Sequence, residues 1–372
     1  MAVKITRQPK NIVLLGAATS AAALRAGHER APAALRAAGL ADRLKSAGFS
    51  VADHGDTATY VFQPDDEHPR ARNVSTILKS LNDLRPRVET AVKTGALPLI
   101  LSGDCISVVA VIAGARRYYR NVSLIFVDRD ADLNVPATTA SGCVDGFVIS
   151  QVIGRGAPEL VRFWGEPPLV REPDIALFGF ERMDVPEIQY LAVSPLRRHA
   201  ALEVSTVGGA VAAGIALERV HAAKHEFVLH FDVDVINSDE FPWTNFPGTG
   251  GLTLSEARDA LRVFAAQPNL AAFVVAGYNP EIDSDGQGAR KLIDLLADVL
   301  SARLETTTAA TAAAAEPAPA LSAQAASSSS SSFSTSETAA AAVTSATDSD
   351  AEPDLASPAE SPDATEPDTS AS

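Results

Sequence analysis

Cysteine is nearly missing from this chain: there are two in 372 residues, Cys105 and Cys143. Two thiols cannot staple a fold of this size, which excludes a disulfide scaffold and makes a reducing, cytoplasmic setting the expectation. No stretch approaches the ~20 apolar residues of a membrane-spanning helix. Near the start the apolar run is broken at Gly16 and Thr19, and "NIVLLG" with the small residues after it reads as a first buried strand and its turn rather than as a secretory signal. Positive charge is scarce as well, with 31 Lys and Arg against 46 Asp and Glu and a net charge of −15. That leaves no basic face for nucleic acid and no polybasic patch for a membrane. The scarcity is uneven. Residues 306–372 hold no Lys or Arg, carry ten acids, and have little large apolar content beyond Leu321, Phe333 and Leu355. Such an Ala/Ser/Pro/acid-rich stretch cannot offset its chain entropy, so a disordered, solubilising tail is expected after a folded domain at 1–305. Ser357 and Ser361, each before a proline, are candidate phosphorylation points within it.

What remains is an ordinary globular body, the whole chain being 46% hydrophobic. Short β-branched runs at 11–16, 97–104, 122–128, 174–180, 227–234 and 270–279 alternate with amphipathic stretches at 31–48, 74–95, 208–223, 254–266 and 286–304. Ser255, just ahead of "EARDALRVF", suits an N-cap. There is no internal repeat. A βαβα alternation with continuous apolar strands predicts an α/β fold, a three-layer α/β/α sandwich around one mostly parallel sheet.

Ligands of open α/β sheets gather at the carboxyl ends of the strands, and polar residues gather there in this sequence: "SGDC", "DRDADLN", "ERMD", "DVDVINSDE" and "GYNPEID" each follow a strand candidate. Asp128, Asp130 and Asp132 stand at spacing two, as do Asp232 and Asp234. If the extended geometry persists, each set shares one strand face. Crowded carboxylates in an apolar setting repel one another, and an unpaired buried ion is costly. Five carboxylates from two strands can instead bridge hard divalent cations, oxygen donors suiting Mn²⁺ or Mg²⁺. The competing reading is that some of them cap helices or pair with Arg129 and Arg182. His230, two residues before Asp232, is either a further imidazole donor or a core histidine.

Taken in order, these segments resemble the ureohydrolases: arginase, agmatinase and formimidoylglutamase, the arginase branch most of all. "GHERAPAALRAAGLADRLKSAGFSVADHGD" is similar to the family's N-terminal segment, "LSGDCIS" to its GGDHS, "DRDADLN" to DAHADxN, "SGCVDG" to SGNxHG, "FDVDVI" and "GGLT" to its DxD strand and the motif after it, and "GYNPEID" to ExNPxxD. The resemblance implies an arginase-like fold and a homo-oligomer, trimeric or hexameric. It also implies two divalent cations, one held by Cys105, Asp128, Asp132 and Asp232, the other by Asp128, Asp130, Asp232 and Asp234. Cys105 and Asp130 replace histidines of the family. Asp145 stands where the family has the histidine thought to move protons, and Gly277 where arginases have the glutamate that grips the guanidinium. Asn134, Ser141 and Asp184 match positions that bind the α-amino and α-carboxylate end of an amino acid, although Asp184 could equally cap a helix starting near Val185. Trp243 and Phe246 suggest a narrowed pocket.

These departures have consequences. Five aspartates and a thiol carry −5, or −6 as thiolate, against +4 for two cations, and the excess weakens Lewis acidity. Cys105, a soft donor, shifts preference from Mn²⁺ toward Zn²⁺ or Fe²⁺. Two functions from different classes follow. One is a diverged metal-dependent hydrolase of an amidine, guanidino or amide-like C–N bond in a small amino-acid-like substrate, and not an efficient arginase. The other is a catalytically inactive protein of the same fold that binds a metabolite or serves as a regulatory subunit.

Overall fold

The computed structural model describes residues 5–222 and 224–315. The last helix, Gln287–Ala315, continues past the expected domain end at residue 305. The rest of the acidic tail, from 316 onward, lies outside the described residues.

Eight strands form one sheet: β1 (Asn11–Ala17), β2 (Ser50–Asp56), β3 (Leu97–Ser102), β4 (Val122–Val127), β5 (Ile175–Phe180), β6 (Arg197–Ala200), β7 (Glu226–Asp232) and β8 (Leu270–Ala276). Their order is β2-β1-β3-β8-β7-β4-β5-β6, and every adjacent pair is parallel. Six strands coincide with the apolar runs. The two that the sequence reading missed, β2 ("SVADHGD") and β6 ("RRHA"), are the sheet's edges. Edge strands carry charge and short length against unwanted pairing, which erases the apolar signature.

Alternation along the strands divides the core in two. Leu97, Leu99, Leu101, Phe227, Leu229, Phe231, Phe273 and Val275 pack against helices Ala31–Ala37, Leu40–Ser46, Gly209–Arg219, Leu254–Ala265 and Gln287–Ala315 on one side of the sheet. Ile100, Leu124, Phe126, Val228 and Val274 pack against helices Val74–Lys93 and Ser107–Ala115 on the other. This is the three-layer sandwich that the alternation predicts. The helix Ser107–Ala115 is buried at every position. With no polar face it shows no helical period, so its sequence could not be told from a strand. The 31–48 stretch is two helices, divided where Gly39 adopts φ +93°. Among the described residues no single helix is long and apolar enough to cross a membrane.

The predicted cap at Ser255 is displaced by one at Thr253. The Thr253 hydroxyl accepts the N–H of Glu256, and the Glu256 carboxylate accepts the N–H of Thr253 at 2.8 Å, a reciprocal capping box. Thr253→Ala should lower stability by about 1 kcal/mol in denaturant titrations, with Ser255→Ala near neutral.

His199, on β6, is wholly buried against Phe178, with Glu203 at 3.6 Å. Burial first, then the charge of Arg219, lowers its pKa from 6.5 to about 4. The unfolded chain therefore binds the extra proton between those values. Stability is intact above pH 6.5 and declines as the pH falls toward 4. His199→Gln should flatten that part of the melting-temperature profile relative to the parent protein.

Candidate metal-binding site

The register of the central strands builds the site. Val127 pairs with Phe231, so the residues that follow them, Asp128 just past the end of β4 and Asp232 at the end of β7, emerge side by side. Both continue the parity of Phe126 and His230, whose rings stack with centroids 4.4 Å apart. The imidazole consequently faces the carboxylates, its Nε2 3.7 Å from Asp128 Oδ2. From the turn after β3, the Cys105 thiol donates to Asp232 Oδ2 at 2.8 Å and lies 3.8 Å from Asp128 Oδ2. Cys105, Asp128, His230 and Asp232 thus offer donor atoms all within 4.8 Å of one another.

That convergence requires a bare backbone at the end of β8, the strand lying between β3 and β7. Gly277 supplies it. Its φ is +84°, and a Cβ there would come within 2.1 Å of Asp232 Oδ1. The turn after β3 needs a second glycine: a Cβ on Gly103 would lie 1.8 Å from the Thr19 carbonyl oxygen. Next to it, Asp104 accepts the Thr19 hydroxyl and the Ala22 N–H at 3.1 and 3.0 Å, tying the turn after β1 to the turn after β3.

The remaining aspartates arrive by another route than the one their spacing suggests. β4 ends at Val127, and the Asp130 N–H folds back onto Asp128 Oδ1 at 2.8 Å. Asp132 sits in the left-handed region, φ +50°. Likewise the Asp234 N–H folds back onto Asp232 Oδ1 at 2.7 Å at the start of a 3₁₀ turn, Val233–Val235. The chain turns, so the carboxylates do not share one extended face as the spacing predicts. The turns still bring Asp128, Asp130 and Asp234 within 4.8 Å of one another as a second donor group.

Arg182 is the cation that the protein itself brings. Its Nε and Nη2 donate to the two oxygens of Asp130, and Nη2 lies 4.0 Å from Asp234 Oδ2. The guanidinium rests over the Phe246 ring at 5.3 Å. Pairing with arginine is therefore realised for Asp130. Arg129 instead donates to the Phe246 carbonyl.

Arg129 and Arg182 both favour the charged form of Asp234, but they do not outweigh its burial and the repulsion from Asp232 and Asp130. Burial, followed by repulsion from neighbouring aspartates, pushes the pKa values of Asp128, Asp132 and Asp234 well above the usual carboxylate range. Burial also raises Asp232, with hydrogen bonds from Cys105 and Asp234 opposing it. Burial raises the Cys105 thiol, and the surrounding aspartates raise it further. Both ring nitrogens of His230 and the Oδ1 of Asp234 are buried without a partner. Orphaned acceptors beside repelling carboxylates fit a divalent cation, which would supply the missing charge and coordination together.

All nine other sequence-predicted site residues line, with Arg182 and His28, the same cavity of about 200 Å³ as Asp128. Asp145 Oδ1 accepts the Ile106 N–H at 3.0 Å, and burial, then Asp104 and Asp232, pushes its pKa well up. Asn134 Nδ2 donates to Asp184 Oδ2 at 2.9 Å, and the Ser141 hydroxyl accepts the Cys143 N–H at 3.1 Å. Asp184 does cap the helix Val185–Val193, in a capping box with Glu187. Phe246 lines the cavity, whereas Trp243 does not; it packs edge-on against Phe241. Glu187 went unnoticed in the sequence although "DVPE" is a capping-box pattern. Its carboxylate takes the N–H groups of Leu133 and Asp184 at 2.8 and 2.7 Å, joining the two loops that carry Asn134 and Asp184.

Comparison with known proteins gives one answer. The sequence profile described as "Arginase family" matches residues 10–301. Arginase-1 of Mus musculus is 30% identical over 295 residues, 78% of this chain and 91% of its own. The crystal structure of arginase from Bacillus subtilis superposes with a TM-score of 0.71 at 24% identity, covering 78% of this chain and 98% of that one. The Trypanosoma cruzi formiminoglutamase solved with Mn²⁺ shares the fold at a TM-score of 0.62 and 17% identity, over 79% and 93% of the two chains.

Gly277→Ala should cost at least about 1 kcal/mol from its left-handed backbone alone, and should displace Asp232. A lower melting temperature together with reduced metal content is the expected result. Gly277→Glu should fare no better and should not confer arginine hydrolysis.

Proposed function

This chain belongs to the arginase family of ureohydrolases, and from that premise we propose that it is a diverged metal-dependent hydrolase of a non-peptide C–N bond in a small amino-acid-like substrate. The observation that carries the reading is the buried set of Asp128, Asp132, Asp232 and Asp234, whose mutual repulsion Arg182 and Arg129 leave largely unrelieved. Cys105, Asp128, His230 and Asp232 would hold one cation, and Asp128, Asp130 and Asp234 would serve a second, with Asp132 adjoining. Carboxylate oxygens favour Mn²⁺, while the thiol and imidazole of the first group draw it toward Zn²⁺ or Fe²⁺. A cation held there would supply Lewis acidity toward water.

The chain's own residues do the rest. Asp184, tied to Asn134 at 2.9 Å, offers a carboxylate for an ammonium group. Ser141 accepts a backbone N–H and so keeps its O–H for a substrate carboxylate. Asp145 is held through Oδ1 by the Ile106 N–H. Burial, then the neighbouring Asp104 and Asp232, raises its pKa, which suits a group that passes a proton to the departing nitrogen. Phe246 contributes an apolar wall to the cavity. The position that would grip a guanidinium is Gly277, with no side chain, so an amidine or amide-like group fits this reading better than arginine. Two free, buried thiols suit a cytoplasmic protein, and a homo-oligomer, trimeric or hexameric, accords with the resemblance.

The missing glutamate at Gly277 and the guanidinium on Asp130 favour a second reading, a metabolite-binding or regulatory subunit without turnover. One experiment separates the two. Elemental analysis of the purified protein should find stoichiometric divalent metal that an Asp128→Asn, Asp232→Asn double variant loses. A panel of amidino, guanidino and amide-like amino acids should then include one hydrolysed by the parent, with kcat reduced roughly 10²–10⁴-fold in Asp145→Asn. Metal without turnover on any of them would favour the binding subunit; no metal would reject the hydrolase.

A further inference from the structure

The two donor groups differ in what already occupies them. Cys105, Asp128, His230 and Asp232 enclose no positive charge. Two of their edges, Cys105 Sγ to Asp128 Oδ2 at 3.8 Å and His230 Nε2 to Asp128 Oδ2 at 3.7 Å, match the ~3.3–3.8 Å edges of a tetrahedron with bonds of about 2.0–2.3 Å. A shorter edge, Cys105 to Asp232 at 2.8 Å, is a hydrogen bond from the thiol. It opens when that proton is lost to solvent as a cation takes its place. His230 completes the set from the neighbouring strand. It is wholly buried, it stacks on Phe126 so that its ring is fixed, and neither nitrogen has a partner. A buried imidazole with two unsatisfied nitrogens is a poor structural filler and a well-oriented ligand.

The second group, Asp128, Asp130 and Asp234, faces a guanidinium. Arg182 forms a two-pronged pair with Asp130, and its Nη2 points between Asp130 and Asp234, 4.0 Å from the latter's Oδ2. Phe246 braces it from the other side. Two of the three ligands are therefore already turned toward a positive charge of the chain's own. A divalent cation entering there meets a like charge a few ångströms away in a partly buried site, where such repulsion is only weakly screened.

We propose that Arg182 is a built-in competitor for the second cation: the mixed Cys105–Asp128–His230–Asp232 group loads first and tightly, and the Asp128–Asp130–Asp234 group fills only as the guanidinium is displaced from Asp130. This rests on the metal-dependent reading given above. It makes occupancy a function of metal concentration, with a one-cation form at low metal and a two-cation form at high metal. Arg182 keeps 45% of its side chain exposed, so it has solvent to move into and its replacement leaves the core untouched.

The test is a titration of the metal-stripped full-length protein with Zn²⁺ by calorimetry, repeated with Co²⁺ so that a thiolate-to-cobalt absorption band reports which step involves Cys105. Two steps at least about tenfold apart in affinity are expected, the band appearing in the first. Arg182→Gln should tighten the second step about tenfold or more while leaving the first within about threefold, and Arg182→Lys, which keeps the charge, should keep the steps apart. His230→Ala should weaken the first step by at least the roughly 10–100-fold that follows loss of a residue merely orienting a ligand. Two steps of equal affinity in the parent, or a separation unchanged in Arg182→Gln, would overturn the competitor and leave a metal-dependent site standing. No uptake of Zn²⁺ or Co²⁺ at all would overturn the metal-dependent reading itself.

Discussion

Carboxylates that emerge side by side from two buried parallel strands repel one another, and the rest of the site is organised around that repulsion. β4 and β7 are hydrogen-bonded neighbours in register, so Asp128 and Asp232 are held together by the sheet's own ladder. Neither can turn to bulk water, because both are almost fully buried. Backbone N–H groups of Asp130 and Asp234 each satisfy one oxygen, and the Cys105 thiol satisfies another. Arg182 reaches in from the loop after β5 to neutralise Asp130. None of these devices removes the charge density at the strand ends, which is why a cation is the natural complement to the arrangement.

The surrounding fold serves that arrangement in specific ways. Gly277 leaves the end of β8 bare so that groups from β3 and β7 can meet across it, and Gly103 lets the turn after β3 pass against the Thr19 carbonyl. Asp104 and Glu187 are braces: one joins the turns after β1 and β3, the other the loops carrying Asn134 and Asp184. Arg182 places one positive charge beside Asp130, and His230 sets an imidazole beside Asp128.

Much of this was legible in the residues. The six interior strands announced themselves as apolar runs, and the gathering of polar residues after each pointed to the carboxyl edge of the sheet. The edge strands β2 and β6 were hidden because charge there protects the edge, and the helix Ser107–Ala115 because it is apolar all round. The cap at Thr253 was misplaced onto Ser255, two residues into the same turn-forming segment. Trp243, expected near the pocket, turns away to pack on Phe241.

The sequence alone determined the fold class and the family, and it pointed to carboxylates that the structure gathers around one cavity, each marked by its place after a strand or within a recognisable motif. Tertiary structure decided how they meet. Spacing of two implied one shared strand face, but the chain turns at Asp128 and again at Asp232, and convergence comes from the ladder between β4 and β7 and from backbone N–H groups folding back on carboxylates. It decided also that His230 faces the carboxylates and that Arg182 grips Asp130, since 52 positions separate those two in the sequence. Local pattern fixes which way a side chain points from its own element; which groups lie opposite depends on sheet order and register, and these are set by the packing of the whole domain.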